Sequence, residues 1–376
     1  MKSKKVTNKP MMKLRELTNH LESLAPLDYQ EAYDNAGLLV GSPDKVVHQA
    51  ILSLDCTEAV VDEAIELGCD VVVSHHPIVF KGLKRFNGNT YVERVIMKAI
   101  KHDIALYAIH TNLDNVKDGV NSKIAERLGL HNTRILHPKG GLLRKLAVFV
   151  PVEHVERVRA ALFAAGAGNI GRYDACSFNT TGYGTFRAGE GTNPFVGQQG
   201  AHHREEEVRV EVIYPAVKER LVLHELFKVH PYEEVAYDIY QLQNNYQDVG
   251  SGLVGRLEKP MEEHDFLALL KGRLGAKVIR HTALRGTAVA DVAVCGGAGS
   301  FLLGEAIRSG ADVFVTADYK YHEFFDAEGK IVIADVGHFE SEQFTQQLLL
   351  EIIQKKFPTF AVRLTGVDTN PINYYS

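Results

Sequence analysis

The chain has no long hydrophobic run, no cysteine pair at short spacing and no surplus of charge of one sign. Each absence removes a class of function. No stretch approaches the roughly 18–20 consecutive apolar residues of a membrane-spanning helix, so no membrane partner is expected. Cys56, Cys69, Cys176 and Cys295 are scattered without C-x-x-C spacing. That excludes a thioredoxin-like pair and fits reduced thiols in a cytosol. The net charge is −5, and without a basic surplus a nucleic-acid partner is not expected. There is no G-x-S-x-G elbow or Ser-His-Asp signature to supply a side-chain nucleophile. The loop 188–200 carries Gly189, Gly191 and Gly197 but no G-x-x-x-x-G-K-[ST], so it is not a phosphate loop. The start is basic and polar with no apolar h-region. It is not a secretory signal, and residues 1–11 are expected to be a disordered leader.

What is present is a globular composition, with 45% hydrophobic and 24% charged residues among 376, long enough for more than one domain. Three clusters of metal-binding side chains follow apolar runs that read as buried strands. Ser74-His75-His76-Pro77 follows Val71–Val73. His110-Thr111-Asn112-Leu113-Asp114 follows Ile104–Ile109. His338-Phe339-Glu340-Ser341-Glu342 follows Ile331–Val336. Imidazole and carboxylate are ligands of zinc, iron and manganese. Open α/β sheets gather their ligands at the carboxyl ends of strands, where all three clusters are expected.

The chain also repeats itself. Glu63 to Ser74 aligns with Glu305 to Thr316 at a constant offset, so Gly68 falls opposite Gly310 and Asp70 opposite Asp312. Each copy reads as the end of a helix, a glycine cap and a buried strand. Strand candidates precede the helix at Ile51–Leu54 and Val292–Cys295, and a further helix leads to each His-x-x-x-acid cluster. The order β-α-β-α-β predicts parallel, right-handed α/β layers. The copies differ chemically, because Ala317 and Asp318 stand opposite His75 and His76.

Between the copies lies an insert. Its expected strands are Lys145–Val150, two around Tyr173–Thr180 and Gly182–Arg187, Val208–Tyr214 and Val235–Gln241. Its expected helices are Val152–Ala165 and Ala216–Lys228. That order predicts a ferredoxin-like α+β module. His230, in His230-Pro231-Tyr232-Glu233-Glu234, is read as part of a surface turn, with ligand binding as the alternative. The expected fold class is α/β: a duplicated core of residues 12–142 and 249–376, interrupted by the insert 143–248.

His75, His76, His110, Asp114, His338 and Glu342 together supply a donor set for two divalent ions. Glu342 is the expected bridge, since an ionised carboxylate offers one oxygen to each ion. His75 and His76 are adjacent, so they serve separate ions or share one through a turn. Asp318 and His322 are candidates either for proton transfer or for hydrogen bonding to metal-bound histidines.

These blocks, with the Thr316–His322 segment and Gly337-His338, resemble signature motifs of the Nif-three-like proteins, a family that carries the label GTP cyclohydrolase I type 2 homologue. The resemblance covers about Met12–Leu142 and Val249–Thr369. The insert resembles the extra domain of the longer bacterial members, which is similar to PII and CutA-like trimeric regulators. The resemblance implies a two-metal site, a toroidal homohexamer and a cytoplasmic location. It implies the ligands His75, His76, Asp114, His338 and Glu342, with His110 as ligand or close neighbour. The expected function is a dinuclear metallohydrolase acting on a nucleotide or related small molecule. The rival is a non-enzymatic metal-binding regulator, chaperone or assembly protein with a sensory insert.

Overall fold

The structure is a computed structural model that describes residues 11–375. The expected leader, 1–11, lies outside the described residues apart from Met11. Met12–Lys13 pairs as a short antiparallel strand with Val46–Val47. Close contacts divide the chain into two units. One joins the residues up to His137 to those from Asp248 on, and the other is Pro138–Gln247.

Besides that short pair, the described residues of the first unit form two larger sheets. One runs in the order Ala361–Leu364, Gln49–Ser53, Val71–Ser74, Ala105–Ala108 and Gly37–Val40. Its first four strands are parallel, with Ala50 opposite Val71 and Val71 opposite Ala105. The other runs Arg280–His281, Val332–Asp335, Val313–Ala317, Val289–Ala298, Asn245–Met261 and Leu130–Gly140. Within it, Val289–Ala298, Val313–Ala317 and Val332–Asp335 are parallel neighbours. The two sets of three consecutive parallel strands occupy the positions of the sequence repeat.

These strands are unbroken apolar runs because both their faces are covered. Val71, Val73, Ala105 and Tyr107 point one way, into a central core shared with Val292, Val294, Val313 and Val315 of the other sheet. Leu14, Leu17, Ile124, Phe266, Leu270, Leu349 and Ile353 from four helices fill that core. Ile51, Val72 and Leu106 point the other way, under the helices Glu58–Leu67 and Tyr91–Lys101. Thr57 caps the first of these helices by accepting from the Val60 N–H at 3.3 Å, and Gly68 ends it at φ 67°. That left-handed conformation suits glycine. Gly310, its counterpart in the repeat, has φ 80°.

One expected helix is different in kind. Between Val313–Ala317 and Val332–Asp335 the chain forms a 3₁₀ helix, Tyr321–Ala327, instead of an α-helix. Asp318 at φ 57° and Glu328 at φ 46° interrupt the connection on either side.

The second unit is a four-stranded antiparallel sheet in the order Tyr237–Leu242, Leu143–Pro151, His202–Pro215 and Phe178–Arg187. The chain order is β-α-β-β-α-β, with helices Val155–Ala164 and Glu219–Val229. Leu146, Val148, Val150, Val210 and Val212 pack with Val158, Leu162, Val222 and Leu226 from those helices. The two strands expected around Tyr173–Thr180 and Gly182–Arg187 are a single strand, Phe178–Arg187. Gly182 does not break it, because Gly182 and Gly184 pair with Glu207 and Glu205 across the ladder. A Cβ on Gly184 would meet the Glu207 carboxylate, so the glycine makes room for that side chain. His230 is not on a surface turn. It is 7% exposed, with Nε2 3.1 Å from the Phe149 carbonyl and Nδ1 accepting from the Tyr232 N–H at 3.1 Å.

All three histidine clusters, and the two larger sheets apart from the ends of Leu130–Gly140 and Asn245–Met261, lie in the first unit. Joining Leu142 to Val249 by a short linker is therefore expected to leave a folded core that retains metal. Circular dichroism and metal analysis check this. A folded but metal-free product would place part of the site in the insert.

Candidate metal centre

His75 and His76 leave the carboxyl end of Val71–Ser74 in a bend. Their N–H groups remain pinned to the neighbouring strand, His75 on the Ser53 carbonyl at 3.2 Å and His76 on the Leu54 carbonyl at 2.9 Å. Ser74 Oγ donates to the His76 carbonyl at 2.8 Å. His110 follows Ala105–Ala108 and opens the one-turn helix Thr111–Asp114. His338 begins the helix His338–Glu342 just beyond Val332–Asp335. A helix places residues four apart on one face, so His338 Nε2 meets Glu342 Oε2 at 3.0 Å.

The structure brings all six expected side chains together. Three overlapping groups could each hold a metal ion: His75, His76 and His110; His76, His338 and Glu342; and His75, Asp114 and Glu342. Donor atoms within each group lie within 4.8 Å of one another. His76 Nε2 is 3.0 Å from Glu342 Oε2 and 3.3 Å from His338 Nε2. His75 Nε2 is 3.6 Å from Asp114 Oδ1 and 3.9 Å from Glu342 Oε1.

Each histidine is held from behind. Nδ1 of His75 is 2.8 Å from the Ile109 carbonyl, which can only accept, so that nitrogen carries the proton. Nδ1 of His76 lies 2.7 Å from Asp55, that of His110 2.8 Å from Asp34, and that of His338 2.7 Å from Asp318. An acceptor on one ring nitrogen fixes the tautomer and leaves the other lone pair for a metal. The bend after Val71–Ser74 turns the two adjacent histidines into one cluster, their ring centroids 4.9 Å apart.

Burial pushes His75 down to about 3, so its imidazole is neutral. Against burial, Asp55 and Glu342 push His76 up to about 9. Asp318 and Glu342 likewise push His338 up to about 11 against burial. Burial and the facing Glu342 push Asp114 well above the usual carboxylate range. Burial would raise Glu342 too, but His338 and His76 hold it well below that range. Without a cation, the two buried carboxylates cannot both be comfortably ionised.

The donors fit a metal. His75 Nε2 and Asp114 Oδ1 are buried and have no hydrogen-bond partner, an arrangement that is costly unless something else satisfies them. Gly297, at φ 61°, lies against the cluster, and a Cβ there would come 2.5 Å from Glu342 Oε1. Soft thiolates take no part. Cys295 is buried beside the cavity and burial pushes its thiol far up, which keeps it protonated.

In the metal-free protein His76 and His338 hold protons at pH 7, and a metal needs the same Nε2 lone pairs. Binding should therefore release protons, and affinity should fall with falling pH from about 11 through His338 and more steeply below about 9, where His76 joins it, by about tenfold per pH unit for each proton expelled. Calorimetric titration in buffers of different ionisation enthalpy measures the release. Metal binding without proton release would contradict this electrostatic account.

Sequence reasoning missed Asp34 and Asp55, which hold His110 and His76. Asp55 had a signal, since it follows the strand Gln49–Ser53 at the same sheet edge. Asp34 had none, because it lies in an irregular segment before Gly37–Val40. Asp318 holds His338, which is the positioning alternative of its two expected roles. His322 is not brought to the cluster. It is exposed on the 3₁₀ helix, with its ring 5.1 Å from that of Tyr321.

The cluster opens into a cavity of about 610 Å³, lined also by Tyr33, Phe80, Tyr91, Phe301 and Ile372. The unit Pro138–Gln247 has a cavity of its own, about 620 Å³, with Phe149, Phe186, Phe195, Glu207 and Arg209 in its walls.

Residues 12–371 match the profile of Duf34/NIF3 (NGG1p interacting factor 3). A "GTP cyclohydrolase 1 type 2 homolog" of Halalkalibacterium halodurans is 42% identical over 349 residues, 91% of this chain and 93% of the relative. The protein of that name in Bacillus subtilis is 38% identical over 366 residues, 96% of this chain and 98% of the relative. The crystal structure of a Bacillus cereus protein related to NIF3 superposes with a TM-score of 0.85 at 39% identity, covering 98% of this chain and 100% of the other. No helix among the described residues is long and apolar enough to cross a membrane.

Proposed function

The chain belongs to the Duf34/NIF3 family, and from that premise we propose that it is a dinuclear metal-dependent hydrolase of a nucleotide or related small molecule. The observation that carries this reading is the cavity of about 610 Å³ into which the cluster faces. It falls in the range of small-molecule sites, roughly 300–1,000 Å³, and His76, His110, Asp114, His338 and Glu342 are all in its wall. A purely structural metal site is closed, whereas a catalytic one keeps open positions.

In this reading His75, His76, His110, Asp114, His338 and Glu342 hold two divalent ions, zinc, iron or manganese, with Glu342 between them. Two ions would supply Lewis-acid charge and activate a water for hydrolysis. The chain's own residues orient the site: Asp55, Asp34, Asp318 and the Ile109 carbonyl fix the four imidazoles. Asp318 is engaged with His338 Nδ1 and so serves to orient that imidazole, and neither Asp318 nor His322 is in the cavity wall to pass a proton.

The names of the relatives direct the first assay to GTP, whose imidazole ring would be opened with release of formate. We expect metal-dependent formate release that chelation abolishes, that added zinc, manganese or iron restores, and that His76→Ala eliminates. Cys56→Ala and Cys295→Ala should leave it largely intact, since burial pushes both thiols up. A metal-loaded protein that turns over neither GTP nor any other nucleotide would move the reading to a non-enzymatic metal-binding regulator, chaperone or assembly protein.

The cavity in Pro138–Gln247 favours that second reading, since a separate ligand pocket suits a sensory module. The β-α-β-β-α-β order of that unit supports a ferredoxin-like, PII- or CutA-like insert. Resemblance to the family supports a cytoplasmic toroidal homohexamer, which sedimentation would read as six chains of 41.7 kDa.

A further inference from the structure

Between the second and third parallel strands of the first copy, the chain passes through Phe80-Lys81-Gly82-Leu83-Lys84-Arg85-Phe86. Phe80 at its start and Tyr91, shortly beyond its end, both line the cavity. The Phe80 ring lies edge-on to His110, with centroids 5.8 Å apart. The segment is tied down beyond each end. Asn35 Nδ2 donates to the Val79 carbonyl at 2.7 Å, and Glu93 accepts from the N–H groups of Asn87 and Asn89 at 3.2 and 3.1 Å. Leu83 packs on the outer core at its middle. The rest is presented to solvent: Lys81, Lys84 and Arg85 are exposed, with Phe80 at 51% and Phe86 at 56%. Among the described residues, Lys81, Lys84 and Arg85 form no ion pair and no hydrogen bond.

A strap that is positively charged, aromatic and unpaired calls for an explanation in a chain whose net charge is −5. The cavity beside it has the opposite character. Glu31, Asp55, Asp114 and Glu342 line it, and among the described residues no lysine or arginine does. Two divalent ions would meet two carboxylates in the ligand set, Asp114 and Glu342, and two more in the wall, Glu31 and Asp55, so the wall as a whole would carry little net positive charge. Cations for an anionic substrate would have to come from outside the wall, and the strap carries three of them in the stretch between Phe80 and Tyr91, two residues of that wall. Lysine and arginine are the usual partners of phosphate oxygens, and exposed aromatic rings at a pocket mouth suit a planar heterocycle.

We propose that Phe80–Phe86 binds the phosphate end of a phosphorylated small-molecule substrate, holding it so that its other end reaches the metal cluster. Lys81, Lys84 and Arg85 meet the phosphate oxygens, and Phe80 marks where the ring system turns inward toward His110. This rests on the metal-hydrolase reading above and narrows its substrate class to phosphorylated molecules. Mononucleotides are favoured over nucleic acid, because the basic residues form one short segment and not a stripe.

The test uses the full chain loaded with metal, and the triple variant Lys81→Gln, Lys84→Gln, Arg85→Gln. All three side chains are exposed and unpaired, so the variant should fold and bind metal as the parent does, which circular dichroism and metal analysis check. Binding of GTP, guanosine, inorganic tripolyphosphate and a short single-stranded oligonucleotide is measured for both, with metal content verified afterwards. The variant is expected to bind GTP and tripolyphosphate about tenfold more weakly or worse, with a shallower salt dependence, and guanosine unchanged. Strap-dependent binding of tripolyphosphate without binding of GTP would uphold the phosphate site and remove the nucleotide. Equal binding of GTP and tripolyphosphate by both proteins would overturn the strap and leave the hydrolase reading standing. No binding of either by the parent would overturn it too. An oligonucleotide bound more tightly than GTP would make the strap a nucleic-acid contact and overturn the small-molecule proposal.

Discussion

Replacing Glu342 by glutamine is expected to remove most of the bound metal. Glu342 is 3% exposed and belongs to two of the three donor groups. One of its oxygens lies 3.0 Å from both His76 Nε2 and His338 Nε2, and the other faces His75 at 3.9 Å. A carboxylate in that position can give an oxygen and negative charge to each of two cations. The amide is isosteric but neutral, and one of its two arms is a donor that repels a metal. Loss of an outer partner of a metal ligand costs roughly 10–100-fold in affinity, so loss of the bridge should exceed that, at about 100-fold or more. Metal analysis after dialysis, with thermal unfolding as a check on the fold, gives the outcome. Retention of both ions by Glu342→Gln would end the bridging role.

Gly297→Ala is expected to damage the same centre from its backbone side. A methyl group there would come 2.5 Å from Glu342 Oε1 and 3.2 Å from His338 Cε1. Both are parts of proposed ligands, and neither can retreat freely. Glu342 is buried, and His338 is held by Asp318 at 2.7 Å. Alanine at φ 61° also carries backbone strain of about 1 kcal/mol. The control is Gly310→Ala, which has a similar φ of 80° with nothing within 4 Å of the added carbon. Gly310→Ala should lose about 1 kcal/mol of stability, and Gly297→Ala at least as much. Only Gly297→Ala should lose metal affinity, by about tenfold or more. Equal affinities in the two variants would mean that the ligands can move aside and that Gly297 does not shape the site.

The legible parts of this protein are those where local chemistry and tertiary environment agree. Strands such as Val71–Ser74 and Val313–Ala317 are buried on both faces, so they read as unbroken apolar runs. His338–Glu342 is one turn of helix, so its four-residue spacing puts both side chains on one face, while His110 precedes the turn Thr111–Asp114 and reaches the same cavity wall as Asp114. The repeat was visible because Gly68 and Gly310 both occupy left-handed positions that punish other residues.

The parts that escaped depend on partners far away in the chain. Asp55 and Asp34 find their roles only when His76 and His110 arrive from 21 and 76 residues on. His230 stands before a proline, a turn signal, yet a carbonyl 81 residues away draws it inward. Gly182 resembles a break between two strands until the ladder to His202–Pro215 runs through it. The connection Tyr321–Ala327 has enough helix-forming residues for an α-helix but is bounded by the left-handed Asp318 and Glu328. Those conformations belong to the folded chain and leave no mark in composition.

The central claim is that the two halves of the chain jointly hold two metal ions. Its most direct test is a calorimetric titration of chelator-stripped protein with zinc or manganese, read for stoichiometry, with the occupied atoms located by anomalous scattering from crystals. The account predicts two ions per chain, both within the cluster formed by His75, His76, His110, Asp114, His338 and Glu342. A single ion held by one half alone, with His338 and Glu342 left free, would contradict it.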